Sequence, residues 1–355
     1  MTEHISLPKA DLTDFISDYN YRRNKFINII KEALSKYGIF SVVNANHEFD
    51  KLKPDIFNNL NLFSLLSPAK KQMYSFSDNF EQRGYIDERI VEKIIIGPSF
   101  KEDFRDELLL NYVRYKFYLP NIPIREVKNL VPLSEKLLFS LSDIDRLVLQ
   151  AIALSLDLEK ENFNSKIAYG DSPLELLIHS PLIKRQSDLY ISVRTNLEFA
   201  AVVSPNCPSQ LFLDGRSFDV DKDELVYIAG NYLSYETKEK FRNPENCYLK
   251  ISENLKNSSQ FALMHYVRPR PRALVYDFHD DFSGKDYSDV WFEHLKVKGY
   301  LNGTHENWKS SFSKTSFTDE EFVIGILNWE LKHRTYNLSK VYPVYMLQFL
   351  KQISL

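Results

Sequence analysis

The histidines are the residues of this sequence best suited to metal binding or acid–base chemistry, and two of them stand in apolar surroundings. His179 precedes Ser180 and Pro181, and His265 lies inside the apolar run from Phe261 to Val267. Either imidazole could face an internal cavity as a metal ligand or a proton carrier. For both we favour the more ordinary interpretation, a histidine whose ring nitrogens are hydrogen-bonded within the fold.

Two further groups of charged residues have the composition of a functional site. His279, Asp280 and Asp281 are consecutive and could form a metal or acid–base cluster, but we interpret them as a solvated turn. Three arginines alternate with prolines and could receive an acidic ligand or partner: Arg268, Arg270 and Arg272. Exposed charges contribute little on average, so we expect these arginines to be solvated.

The composition excludes several functional classes. The chain has 355 residues and a formal net charge of -3, which gives no electrostatic argument for nucleic acid or an anionic membrane. Its only cysteines, Cys207 and Cys247, make neither a disulfide framework nor a metal-finger spacing. We therefore expect a cytoplasmic protein. Ten glycines are few for this length, and neither a dinucleotide-binding nor a phosphate-binding glycine motif occurs.

The elements that must position any site are strands in the second half of the chain and helices on either side. Leu225–Ile228 and Phe261–Val267 are apolar runs, and Cys247–Ile251 alternates with a period of two, so all three predict strands. The spacing of apolar residues predicts helices over Asn20–Tyr37 and Leu133–Leu158.

Several motifs follow one another in a recognisable order. Tyr37–Asn44 is similar to the pattern G-F-F-x-V-x-N-H-G, and Arg83–Tyr85 to R-G-Y. The stretch after Leu225 matches a longer pattern without a gap at Gly230, Asn231, Leu233, Thr237, Phe241 and Arg242. Together these motifs resemble isopenicillin N synthase and the 2-oxoglutarate/Fe(II) oxygenases. The resemblance extends over roughly Ile5–Tyr300.

The resemblance implies an α+β fold with a double-stranded β-helix, or jelly roll, flanked by N-terminal and C-terminal helices. Residues 1–303 would form this domain, with a helical part over about 1–170, the jelly-roll core over about 171–276 and a closing helix over about 285–300. Residues 304–355 would be a helical extension packed on the same domain or on a partner. Within it, Thr318 and Glu321 have the spacing of a capping box.

The resemblance also implies an iron site made by an H-x-D motif and a distal histidine. Residues i and i+2 of a strand share a face, so two ligands from one strand can reach one Fe(II). Two alignments of the first motif remain open. One gives Gln186 and Asp188, and the other gives Arg185 and Ser187; the distal position carries Asn246. Amides do not select Fe(II) as imidazole does, so we expect no bound metal.

The positions for 2-oxoglutarate depart from the family in the same way. Gln260 and Ala262 stand where the family has an arginine and a serine, and Ser180 stands where a tyrosine often helps to hold the co-substrate. An arginine binds a carboxylate with a planar fork of donors, which neither glutamine nor alanine can replace. We therefore expect no cofactor.

These departures predict an atypical or pseudo-oxygenase that uses the old cavity to bind a small molecule or a partner, or for non-oxidative chemistry. Candidate cavity residues are His179, Gln186, Asp188, Asn246 and His265. One alternative is an active non-heme iron oxidoreductase with substituted ligands, acting in small-molecule biosynthesis with Fe(II) and 2-oxoglutarate. Another is a regulatory protein that pairs with itself or with a partner through its C-terminal helices. In none of these interpretations do we expect nucleic acid or a membrane as a partner.

Overall fold

The computed structural model describes residues 3–75, 83–88, 91–98, 121–168, 170–179, 190–193, 197–251, 259–270, 273–275, 285–287 and 290. The helices in this part of the chain are α1 (Leu12–Ile16), α2 (Asn20–Lys36), α3 (His47–Ser64), α4 (Pro68–Gln72), α5 (Leu130–Ser155), α6 (Asn164–Ile167) and α7 (Asn231–Glu236). The first strands are β1 (Glu3–Ile5), β2 (Lys9–Asp11), β3 (Ile39–Val43), β4 (Gly84–Asp87), β5 (Glu92–Ile96), β6 (Leu174–His179) and β7 (Tyr190–Ser192). The remaining strands are β8 (Ala200–Pro205), β9 (Ser209–Leu213), β10 (Arg216–Val220), β11 (Leu225–Ala229), β12 (Cys247–Ile251), β13 (Gln260–Val267), β14 (Leu274–Val275) and β15 (Lys285–Asp286).

Two sheets form the centre of the molecule. The larger has the strand order β2-β3-β11-β8-β13-β6-β5-β4 and the smaller the order β1-β10-β9-β12-β7. Side chains from both sheets meet in one buried apolar cluster, which we call the jelly-roll interior; it includes Leu177, Val203, Leu211, Val226, Leu249 and Met264. A second cluster joins the outer face of the larger sheet to α2, α3 and α5.

The burial of β13 on both faces explains why its sequence is a continuous apolar run. All eight of its residues are buried. Ala262 and Met264 face the jelly-roll interior, whereas Phe261 and Leu263 face the helices. A strand covered on both faces has no need of polar residues at alternate positions. The three strands predicted in this half of the chain are present as β11, β12 and β13.

The N-terminal segment contains two short strands and a helix. It forms β1, then β2, and then the short helix α1. Asp11 caps that helix, since its carboxylate accepts hydrogen bonds from the Thr13 backbone N–H (2.9 Å) and hydroxyl (2.7 Å). A capping residue ends the extended backbone because it satisfies the first free N–H groups of a helix.

Some predictions fall outside the described residues. These are the turn at residues 279–281, most of the closing helix predicted over about 285–300, and the extension 304–355. The predicted domain boundaries therefore stay predictions. Within the described ranges, no helix combines the length and the apolar character needed to cross a membrane.

Candidate functional site in the jelly roll

The pairing of β7 with β12 decides which residues can lie near Asn246. Ser192 pairs with Tyr248 and Tyr190 with Lys250, and the backbone N–H of Val193 donates to the Cys247 carbonyl at 2.9 Å. The end of β12 that adjoins Asn246 is thus next to the end of β7 and not to its beginning. Residues that precede Tyr190 in the sequence are separated from the Asn246 end of β12 by at least the length of β7 along the chain.

The residues expected beside Asn246 all precede β7 in the chain, whereas the register sets the end of β7 next to Asn246. Gln186, Asp188, Arg185, Ser187 and Ser180 themselves lie outside the described residues, so both H-x-D alignments stay predictions. The chain that continues from Val193 toward Leu197 is the one that leaves β7 at the Asn246 end. The sequence of that connection is Arg194-Thr195-Asn196, and it too lies outside the described residues.

Asn246 points away from the jelly-roll interior. It is exposed, and its backbone N–H donates to the Asp214 carboxylate at 3.2 Å. The inward-facing residue at this end of β12 is Cys247, which packs in the interior cluster with Leu249. Burial raises the pKa of the Cys247 thiol well above its usual range, and Asp214 adds to the effect. Cys247 therefore belongs to the packed interior, and the Asn246 side chain beside it supplies no imidazole.

Gln260 and Ala262 do face the interior, as the family's arginine and serine would. Ala262 belongs to the interior cluster, and Gln260 shares its face because the two are one strand period apart. His179 lies directly opposite Gln260 across the β6–β13 pairing, also on the inner face. Burial lowers the pKa of the His179 imidazole. All three side chains are therefore uncharged at neutral pH.

His265 occupies the opposite face of β13. Its Nε2 lies 2.9 Å from Oδ2 of Asp145 in α5, and its Nδ1 lies 3.0 Å from the Pro173 carbonyl oxygen. Tyr227 in β11 donates to Oδ1 of the same carboxylate at 2.8 Å. The favoured prediction, a hydrogen-bonded histidine in the fold, is confirmed. Because His265 faces the helices, it does not line the jelly-roll interior, where it had been a candidate cavity residue.

Buried ion pairs lie near the β8 start and the β13 end. Arg83 pairs with Asp171, and both side chains are completely buried. Nε of Arg268 lies 3.6 Å from Oε1 of Glu198, also in a buried setting. The expectation of solvated arginines is correct for the exposed Arg270 and wrong for Arg268, whose side chain is covered. Arg272 lies outside the described residues.

Sequence reasoning missed the partners in these clusters. Arg83 belongs to a short motif, but its partner Asp171 is far from it in the chain. Asp145 carries a usable signal, because a carboxylate interrupts the apolar face of a helix that is otherwise buried along much of its length. Burial of such a group predicts a hydrogen-bonded partner, although it does not predict which one.

Among the described residues, Gln260 and Ala262 do not fit a 2-oxoglutarate site, whereas the H-x-D positions for iron lie outside the described residues. No group of three His, Cys, Asp or Glu side chains with metal-binding geometry occurs among the described residues. At the positions discussed above, the inward-facing groups are the Gln260 amide, the Ala262 methyl group, the Cys247 thiol and the His179 imidazole. None of them supplies a cation for the carboxylates of 2-oxoglutarate, and His179 alone among these four offers the imidazole that suits Fe(II).

Solved structures share the fold. A full-length Neurospora crassa protein in complex with alpha-KG and 5-formyluracil matches with a TM-score of 0.63 and 15% identity, covering 81% of this chain and 96% of that chain. A 2OG-Fe(II) oxygenase family protein from Caulobacter crescentus matches with a TM-score of 0.64 and 14% identity, covering 82% and 99%. Rice dioxygenase for auxin oxidation matches with a TM-score of 0.59 and 12% identity, covering 83% and 96%.

These comparisons confirm the resemblance at the level of the fold, an α+β architecture with a double-stranded β-helix core. No family model and no curated protein matches the sequence. Fold similarity at such low identity carries no reaction with it, because function depends on the residues of the site.

Proposed function

We propose that this protein is a pseudo-oxygenase, in which the jelly roll of the 2-oxoglutarate/Fe(II) oxygenases is retained but is used for binding and not for oxidation. The observation that carries the proposal is the chemistry of the inner face at Gln260 and Ala262. These side chains have the orientation that the co-substrate position requires and lack the guanidinium and hydroxyl that it uses.

The groups around Gln260 favour a neutral ligand, and the one lysine on the inner face of the described β5, Lys93, is already paired with Glu88. A dianion such as 2-oxoglutarate loses its hydration on entering a buried site and needs a cation there in compensation. Gln260 has no charge, and His179 opposite it is kept neutral by burial, which lowers its pKa. We therefore propose a neutral, polar small molecule as the ligand class.

The proposal for metal rests on the orientation of β12. Asn246 is exposed, and the inward-facing Cys247 is held as a thiol among apolar neighbours. Cys207 is also a buried free thiol, and burial raises its pKa. Two unpaired, unreactive thiols agree with a reducing compartment, and we keep the cytoplasm as the proposed location.

The test is to load the purified full chain with Fe(II) anaerobically, desalt it and measure retained iron by mass spectrometry. 2-Oxoglutarate binding is measured by calorimetry, and succinate release is measured in air. We expect substoichiometric iron at micromolar protein, no binding heat and no succinate. Near-equimolar iron with succinate release would instead support the oxidoreductase alternative.

A matched pair of variants separates charge from shape at the co-substrate position. Gln260→Arg with Ala262→Ser supplies the missing fork and hydroxyl, whereas Gln260→Met with Ala262→Ser changes the volume without a charge. If the missing cation is the obstacle, only the arginine variant gains 2-oxoglutarate affinity. Equal behaviour of both variants would show that another feature keeps the co-substrate out.

A further inference from the structure

The inner face of the larger sheet carries a row of polar side chains at the level where β6 and β8 end and β13 begins. Gln260 lies opposite His179 across the β6–β13 pairing. Cys207 follows β8 by two residues and packs in the jelly-roll interior. It lies beside the start of β13, because the Asn206 backbone N–H donates to the Phe261 carbonyl at 2.9 Å and the Phe261 backbone N–H donates to the Asn206 side chain at 3.0 Å. We call the thiol, amide and imidazole of these three neighbouring strands the polar row.

The next two levels of the same three strands include an apolar floor. Ala262 of β13 lies between Leu177 of β6 and Pro205 of β8, and Met264 lies beside Val203 one level deeper. All five residues are buried, and their side chains contain neither nitrogen nor oxygen. A hydrogen-bonding group placed over this floor would lose its bonds to water and gain none in return.

The nearest charged groups on this face are engaged with one another. Lys93 of β5 lies opposite Leu177, and its ammonium group forms an ion pair with Glu88 and lies 3.8 Å from the Glu175 carboxylate. An anionic ligand would have to compete with both carboxylates for this one ammonium group. The described inner face therefore recognises a ligand through hydrogen bonds and apolar contacts.

His179 indicates that the polar row has a partner beyond the described chain. Its side chain is partly buried, and none of the described residues forms a hydrogen bond with its imidazole. A buried polar group without a partner carries a cost in free energy, and such groups in folded proteins are normally satisfied. A ligand with a hydrogen-bonding group at this level would satisfy the ring.

We propose that the ligand of the jelly roll is a small neutral amphiphile, with one hydrogen-bonding group on the polar row and an apolar body over Ala262 and Leu177. This inference rests on the proposed function and narrows it, because it excludes ligands that are polar on every side. An amide or lactam is the best head group, since it offers a donor and an acceptor to Gln260 and His179, which offer both. Sheets packed face to face lie only about 10 Å apart, so the body is thin, as a single ring is.

The experiment uses three probes that each contain one six-membered ring. δ-Valerolactam carries a neutral amide on an apolar ring, cyclohexanecarboxylate carries a charge on an apolar ring, and glucose is neutral but polar on every side. Each is titrated into the full chain, and nuclear magnetic resonance follows the Gln260 side-chain amide and the Ala262 methyl group. We expect saturable shifts of both signals with the lactam and with neither of the other probes.

Matched variants locate the head group and the body. Gln260→Leu keeps a side chain of similar size and removes its hydrogen bonds, so lactam affinity should fall by up to about tenfold. Gln210→Leu is the same substitution on the outer face of the smaller sheet and should bind as wild type does. Ala262→Val fills the floor beneath the body and should weaken binding as well. Equal lactam affinity in wild type and Gln260→Leu would overturn the placement of the head group.

The pattern across the probes separates this inference from the proposed function. Binding of glucose without the lactam would overturn the amphiphile and leave a neutral-ligand protein. Binding of cyclohexanecarboxylate at Gln260, or of 2-oxoglutarate by calorimetry, would overturn the proposed function itself. If none of the three probes shifts Gln260 and Ala262 at millimolar concentration, the polar row is not a site for such a ligand, and the inference fails.

Discussion

Arg83 and Asp171 form an ion pair whose two side chains are entirely excluded from solvent. The pair joins the residue before β4 to the segment that leads into β6, and thus ties two distant parts of the larger sheet together. Gly97 lies against the guanidinium so closely that a Cβ atom there would be only 1.8 Å from Nη2. The buried guanidinium of Arg83 therefore requires a residue without a side chain at position 97.

Removing one partner of this pair should be far more harmful than removing both. Arg83→Met leaves the Asp171 carboxylate buried without its cation, at an expected cost of about 3–5 kcal/mol in the free energy of unfolding. The double variant Arg83→Met with Asp171→Leu should recover part of that loss. Urea unfolding of the four members of the cycle measures the coupling. Additive effects of the two substitutions would contradict it.

Gly97→Ala should destabilise the protein through Arg83. The added methyl group displaces the guanidinium and weakens its ion pair, so we expect a loss of stability similar to the one expected for Arg83→Met. The same substitution in an Arg83→Met background should cost much less, because the guanidinium is gone. Gly215→Ala is the control: nothing lies within 4 Å of its Cβ, and its φ of 81° alone costs about 1 kcal/mol.

Asn246→His should not create an iron site. The side chain at this position is exposed and points away from the interior, so an imidazole there would have the Asp214 carboxylate beside it and would lack the inward-facing ligands of an iron site. Retained Fe(II) should match wild type, and stability should change by less than about 0.5 kcal/mol. Tyr248→His places an imidazole on the same outer face and should behave alike. A gain of iron in Asn246→His but not in Tyr248→His would refute the orientation of β12.

Lys53 should give the protein a rise of stability in mild alkali. Its ammonium group is buried beside the Ser204 hydroxyl at 2.7 Å, and burial lowers its pKa to about 8. Between about pH 8 and the ordinary value near 10.5, the unfolded chain binds more protons at this position than the folded one. Stability contributed by this group therefore increases with pH through that window, by roughly 3 kcal/mol in total.

The measurement is urea unfolding of wild type and Lys53→Met at several pH values from 7.5 to 10. The free energy of unfolding of wild type should increase relative to that of Lys53→Met as the pH rises. Lys51→Met, on the same helix and exposed, serves as the control and should run parallel to wild type. Parallel curves for Lys53→Met would mean that burial does not depress the ionisation of this lysine.

Strands could be predicted from the sequence, but the face on which a given side chain lies could not. The predicted strand Cys247–Ile251 coincides with β12, because its alternating pattern is a local property. Asn246 precedes it by one residue, and a shift of one residue moves a side chain to the opposite face of a sheet. The motif alignment located the position along the chain without fixing the direction of the side chain.

The partner of a buried polar residue was equally beyond local reasoning. His265 and Arg268 have partners in Asp145 and Glu198, which lie many residues earlier in the chain. Single-sequence patterns report periodicity and local turn chemistry, and they contain no information on such distant pairing. The apolar run around His265 correctly indicated burial, and only the fold revealed the face and the partner.

In both sheets, a strand from the start of the chain pairs with one made much later, which has a consequence for synthesis on the ribosome. Ile39 in β3 pairs with Ile228 in β11, and β1 pairs in parallel with β10. At about 5–20 residues per second, the partner of β3 is made roughly 10 to 40 seconds later. Until then the nascent β3 has no native neighbour on that side, and its apolar edge is open to unwanted pairing. The strand order therefore predicts an interval during translation in which β3 is exposed to mispairing.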